Sequence, residues 1–147
     1  MKLLSSEVLV RAHRRDAKDH LVFRDRLEAL VNMGEDFGLE VEEVCEFLRC
    51  VTSLALGEKA SPLDQALAVV RALEKNRNQH WLSSGRQHWR LVMEIIEQYR
   101  LEGGEIERAR LVALAIEHGA TLVVASTEFE RFKPSGLRLE LWRSALI

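Results

Sequence analysis

The chain has 147 residues, 47% of them apolar and 30% charged, and a formal net charge of −2 at pH 7. That is long enough for one domain with a substantial core, and ordinary for a globular chain. A balance so near neutral excludes strong overall attraction to nucleic acid, leaving only local patches to make such contacts. The first ten residues are interrupted by Glu7 and lack the long apolar run of a signal peptide. No stretch approaches the roughly 20 apolar residues of a membrane span. Cys45 and Cys50 lie five apart on one predicted helix, point in different directions and fit no zinc spacing. A reducing cytoplasm is the simple expectation.

Leu3 and Leu4 predict a short first strand, and Ser5-Ser6 a polar turn after it. Glu7 to His13 starts a helix that buries Val8, Leu9 and Ala12. The basic run Arg11, His13, Arg14, Arg15 and Lys18 reads as solvated surface, with an RNA-facing patch as the alternative. Asp16 or Asp19 caps a helix to about Met33, carried by Phe23, Leu27, Leu30 and Val31 and stopped by Gly34. Phe37-Gly38-Leu39 is a brief strand or a turn. From Val41 to about Leu56 the apolar face is wide enough for a largely buried helix, with Glu46 set inside it.

Ser61-Pro62-Leu63-Asp64 predicts a helix start with serine as the cap and proline at the first helical position. The stripe Leu63, Leu67, Val70 and Leu73 follows. His80-Trp81-Leu82 predicts a strand. The next helix carries Trp89, Val92, Met93, Ile96 and Tyr99, and Gly103-Gly104 breaks the chain. Glu105 to His118 is helical, with Gly119 as its stop. Thr121 to Ala125 is short, apolar and β-branched, which predicts a buried parallel strand. Leu137, Leu139 and Leu141 alternate with Arg138, Glu140 and Trp142 in a last strand. The alternation of strand and helix predicts an α/β/α sandwich around a mostly parallel sheet, in a single domain over residues 1–147. In such sheets chemistry gathers beyond the carboxyl ends of the strands, which points to Ser126, Thr127 and Glu128.

The usual compact motifs are missing: there is no Gly-rich phosphate loop, nucleophile elbow, His-x-x-x-His pair or Cys-x-x-Cys. The five histidines are scattered, and Trp81, Trp89 and Trp142 read as structural anchors.

Three segments carry a family resemblance. They are Leu111-Val-Ala-Leu-Ala-Ile-Glu-His-Gly-Ala-Thr-Leu-Val, then Thr127-Glu-Phe-Glu-Arg-Phe, then Gly136-Leu-Arg-Leu-Glu-Leu-Trp. Together they resemble the end of a PIN domain, most similar to the VapC-type ribonuclease toxins of bacterial toxin–antitoxin pairs. Leu3-Leu-Ser-Ser-Glu-Val-Leu-Val-Arg-Ala-His resembles that family's opening strand and turn, and Val44-Cys-Glu-Phe-Leu-Arg-Cys-Val-Thr its glutamate-bearing helix. Arg86-Gln-His-Trp falls where relatives carry a similar His-Trp. The resemblance implies a three-layer PIN-like fold, with clustered acids holding Mg²⁺ or Mn²⁺ to activate water against a phosphodiester. It also implies a homodimer and an antitoxin partner.

Carried over residue by residue, the family's four acidic positions fall on Ser5, Glu46, Arg108 and Ser126, with Glu128 at an auxiliary acidic position. Only Glu46, the candidate catalytic residue, is an acid. Arg108 exchanges a negative charge for a positive one beside any bound dication. The expectation is therefore a catalytically inactive pseudo-nuclease with a binding or scaffold role and no cofactor, in which Arg108 pairs with Glu46. One alternative is an active Mg/Mn-dependent endoribonuclease toxin using nearby acids, Glu7, Glu107 or Glu128. Glu107 is rotated about 100° from position 108 and is expected to point elsewhere. A further alternative is a non-cleaving RNA-binding module in which Arg108 and the serines hold a phosphate.

Overall fold

A computed structural model describes residues 1–143; the predicted extent to residue 147 runs past the described residues. The strands are β1 (Lys2–Leu4), β2 (Phe37–Leu39), β3 (Gln79–Trp81), β4 (Thr121–Val124) and β5 (Arg138–Leu141). The helices are α1 (Ser6–His13), α2 (His20–Asn32), α3 (Val41–Val51), α4 (Leu63–Glu74), α5 (His88–Tyr99) and α6 (Ile106–Glu117), and three 3₁₀ segments lie among the connections. The sheet order is β3-β2-β1-β4-β5, and every described pairing is parallel. Leu3 stands opposite Leu122 and Gly38 on its two sides.

Alternation along the strands creates the two cores. Leu3, Leu122 and Val124 join the cluster that includes Val92, Ile95, Val112 and Phe132 from one helical layer and its connections. Leu4 and Val123 face the opposite way, into a cluster with Phe23, Phe37, Leu39, Phe47 and Val51. The sandwich has three layers. Each large side chain sealed this way contributes about 1.5–3 kcal/mol, so both helical layers are held firmly to the sheet. Gly38 lies where a Cβ would come within 2.7 Å of Leu82 Cδ1, so β2 has no room there for a larger residue. Gly119, at φ +61°, ends α6 as the sequence predicts and releases the chain into β4.

Several local expectations change. The stretch 37–39 is a strand. Ser61 does not cap α4, whose N-cap is Pro62; the Ser61 hydroxyl instead lies 2.7 Å from His13 Nε2 and ties α1 to the α4 entry. Trp142 is 2% exposed and an anchor, whereas Trp89 is 67% and Trp81 41% exposed, so neither is buried as an anchor would be. Neither candidate aspartate caps α2 through its side chain: Asp16 is drawn to Arg14 and Asp19 to Arg11. No helix among the described residues is long and apolar enough to cross a membrane.

Candidate functional site

The strand order sets the position of the site. From β1 the chain builds outward through β2 and β3, then returns to β4 on the other side of β1. The carboxyl ends of β1 and β4 therefore flank a topological switch point, where a crevice forms. A cleft of about 570 Å³ opens there, walled by Ser5, Glu7, Glu43, Glu46, Arg108 and Glu128 among others.

Ser5 follows β1 and stands at the N-cap of α1, and the residue is 2% exposed. Its hydroxyl has no hydrogen-bond partner among the described residues. The first free amide of α1 looks elsewhere: Ser6 N–H donates to Glu43 Oε1 at 2.8 Å, placing a carboxylate at the positive end of the helix. Glu7, on the same turn, reaches across to β4. Its Oε1 accepts from Ala125 N–H at 2.7 Å and Ser126 N–H at 3.1 Å, fixing the backbone just past the strand. Ser126 then caps the following 3₁₀ segment, its Oγ accepting from Glu128 N–H at 3.1 Å.

The expected Arg108–Glu46 pair does not form. Arg108 pairs with Glu128, and Glu46 takes Arg49, one turn along its own helix, with Arg49 Nε 2.8 Å from Glu46 Oε2. The hydrogen bond from Arg49 holds the Glu46 carboxyl below its ordinary pKa. The physical reason is proximity: an i,i+3 partner on a helix surface needs no tertiary reach. With Arg108 engaged by Glu128, its guanidinium is also not standing free for a phosphate.

The dominant group in the cleft is one the sequence reading did not single out. Arg110 Nη1 lies 2.7 Å from Glu40 Oε1, Nη2 3.4 Å from Glu43 Oε2, and Nε 3.0 Å from Glu42 Oε2 and 3.2 Å from Glu107 Oε2. Glu107 therefore turns toward this cluster, against the expectation that it points elsewhere, because position 110 is three residues on from it along the helix. Glu40 also accepts Glu43 N–H at 3.2 Å, capping α3. Both Glu40 and Glu43 are 9% exposed. Burial pushes their carboxyls up from the ordinary range, and attraction to Arg110 offsets part of that. Burial works against the charge on Arg110 too, but its surrounding glutamates outweigh it and raise its pKa, so the guanidinium stays charged.

A sequence signal for Arg110 existed. It lies beside Ala109, Leu111, Val112, Ala113, Leu114 and Ala115, all buried, on a helix sealed nearly all round at that level. A cation in such a place needs a partner.

Hard divalent ions need several oxygens converging on one point. Here the four carboxylates converge on the separate nitrogens of a guanidinium fork. Ser5 supplies no charge, and Glu7 is engaged by two amides. No group of three His, Cys, Asp or Glu among the described residues is arranged to hold a metal ion. The Mg²⁺ or Mn²⁺ that the resemblance implies does not fit the donors as they stand.

No protein-family model matches the chain. It is 34% identical over 134 residues to the VapC ribonuclease Mb2897 of Mycobacterium bovis, covering 90% of each chain. It is 29% identical over 132 residues to ribonuclease VapC31 of Mycobacterium tuberculosis, covering 90% of this chain and 93% of that one. Among solved structures it is similar in fold to VapBC2 from Rickettsia felis bound to a promoter DNA fragment, with a TM-score of 0.69 at 19% identity over 97% of this chain and 98% of the other. DNA-bound VapBC from Salmonella typhimurium gives 0.66 at 16% identity, over 97% and 98%. The five-stranded parallel sheet, the cleft at its switch point and these similarities agree: the chain belongs to the VapC family, with its PIN-like α/β/α fold.

Proposed function

We propose that this chain is a VapC-family PIN domain that works by binding rather than by cutting RNA, a pseudo-nuclease whose natural partner is an antitoxin-type protein. The observation that carries the reading is the fate of the four family positions: only Glu46 offers a carboxylate, and it is turned to Arg49. Ser5 and Ser126 are neutral, and Arg108 brings a positive charge. The partner is suggested by the VapBC complexes to which the fold is similar. We place the protein in the cytoplasm as a single-domain homodimer, and a short reading frame immediately upstream would supply the candidate antitoxin.

The test is RNA cleavage by the natural protein with Mg²⁺ and with Mn²⁺, beside binding to the product of the neighbouring gene. No cleavage with stable binding is the expected result. Metal-dependent cleavage that disappears in Glu46→Ala would overturn it.

A second reading, an active Mg/Mn-dependent endoribonuclease of a toxin–antitoxin pair with RNA as its substrate, is favoured by the charge of the cleft. Six glutamates line it against two arginines. Under that reading Glu7, Glu107 or Glu128 would do the work of the altered positions, and the same cleavage assay decides.

A further inference from the structure

Positive charge, which the chain lacks overall, is gathered around the end of α1. Three clefts of about 640, 540 and 510 Å³ run from there over the connection to α2 and across to the entry of α4. They adjoin, since Ala17, Lys18 and Asp19 wall the first two together and Arg14 and Asp16 wall the first and third. Seven lysines and arginines line them against three carboxylates, on a chain whose net charge is −2. Two of those carboxylates are already taken, Asp16 by Arg14 and Asp19 by Arg11. Arg15, Lys18 and Lys59 are exposed and have no ion-pair partner among the described residues, and of the lining acids only Glu58 is left to oppose them. Such a local excess attracts a polyanion even where the net charge does not.

We infer that this surface is a docking site for the phosphate backbone of single-stranded RNA, separate from the acidic cleft and indifferent to the bases. No phenylalanine, tyrosine or tryptophan lines any of the three clefts, so bases find no ring to stack on and the contacts fall on phosphates. Charged side chains outnumber apolar ones in the lining, unlike the desolvated apolar centre that anchors a protein partner. A flexible single strand can follow clefts that turn from α1 to α2 and over to α4, whereas a duplex, stiff over about 150 base pairs, bends around them only at a cost. The surface shares no lining residue with the acidic cleft, so the inference goes beyond the binding reading above and does not depend on it. It also moves the phosphate contacts away from Arg108 and the serines, where the sequence had suggested them.

The experiment measures fluorescence anisotropy of a labelled RNA of about 12 nucleotides, with EDTA present, between about 50 and 200 mM KCl. The natural chain should bind with a log–log salt slope near −2, about −0.7 for each of three cations. Arg15→Gln/Lys18→Gln/Lys59→Gln should bind at least about tenfold more weakly and lose most of that slope. Lys75→Gln/Arg77→Gln/Arg86→Gln removes the same charge at other exposed positions and should stay within about twofold of the natural chain. All six side chains are exposed, and thermal melts verify that both variants are folded. Runs of uridine and of adenosine should bind alike, and duplex DNA of the same length more weakly. No binding at the lowest salt, equal weakening by the two triple variants, a strong base preference or tighter binding of the duplex would each overturn the inference. Failure to bind in EDTA leaves the pseudo-nuclease reading untouched, whereas cleavage of the same RNA on adding Mn²⁺ overturns that reading and not the docking surface.

Discussion

Replacing Glu7 by alanine should loosen the end of β4 without disturbing the two cores. The Glu7 carboxylate accepts two backbone hydrogen bonds, from Ala125 N–H at 2.7 Å and Ser126 N–H at 3.1 Å. A hydrogen bond to a charged group contributes about 1.5–3 kcal/mol when its loss leaves a buried donor unpaired. Glu7 is only half-buried, so water replaces part of what is lost, and the net cost should be about 2 kcal/mol. For a chain of this length that lowers Tm by about 4–8 °C. Glu7→Gln keeps a carbonyl oxygen in reach and should cost about half as much. Urea denaturation gives the free energy, and amide hydrogen exchange locates it. In Glu7→Ala, Ala125 and Ser126 should exchange faster than in the natural chain while Leu122 and Val123 keep their protection. Unchanged exchange at both amides, with a Tm within about 1 °C of the natural chain, would refute the claim that Glu7 fixes this loop.

Two further outcomes follow from other contacts. Burial lowers the His13 pKa below its ordinary value of 6.5, with His20 and Arg15 adding to the effect, so folding favours the neutral ring that lies 2.7 Å from Ser61 Oγ. Its contribution to stability should be complete above pH 6.5 and be lost as the pH falls from there through the lower folded-state value. Denaturant melts between pH 7.5 and 5 should show that slope, reduced in His13→Asn; an unchanged slope in the variant would assign it elsewhere. Arg108→Ala breaks a solvent-facing pair, with side chains 33% and 59% exposed, and should cost less than about 1 kcal/mol in the same measurement. A much larger loss would mean that Arg108, rather than Arg110, is the important cation of the cleft.

Much of the architecture was legible in the sequence. Thr121–Val124 is short, β-branched and closed in by Gly119, so it reads as a buried strand and is one. The position of a cleft was legible for the same reason, since the carboxyl ends of parallel strands meet where strand order reverses, although of Ser126, Thr127 and Glu128 only Glu128 lines it. The pairing of side chains inside it was not. Arg108 and Glu46 both fall on family positions, which alone suggests the pair, yet local geometry gives each a nearer partner. Arg110 and Glu40 are 70 positions apart, and nothing in the spacing of either announces the other. Glu43 offered a weak sign, three residues after Glu40 at a helix start, a capping arrangement that accounts for one of its contacts only. Exposure misled in the other direction for Trp81 and Trp89, whose size suggested anchors and whose position on the outer strand and α5 leaves them largely open.

The most direct measurement is calorimetric titration of the natural chain with Mn²⁺, followed by incubation of the same sample with RNA. A cleft whose glutamates are already held by Arg110, Arg108 and Arg49 predicts no saturable heat and intact RNA. Stoichiometric Mn²⁺ binding accompanied by RNA cleavage, both lost in Glu46→Ala, would contradict it.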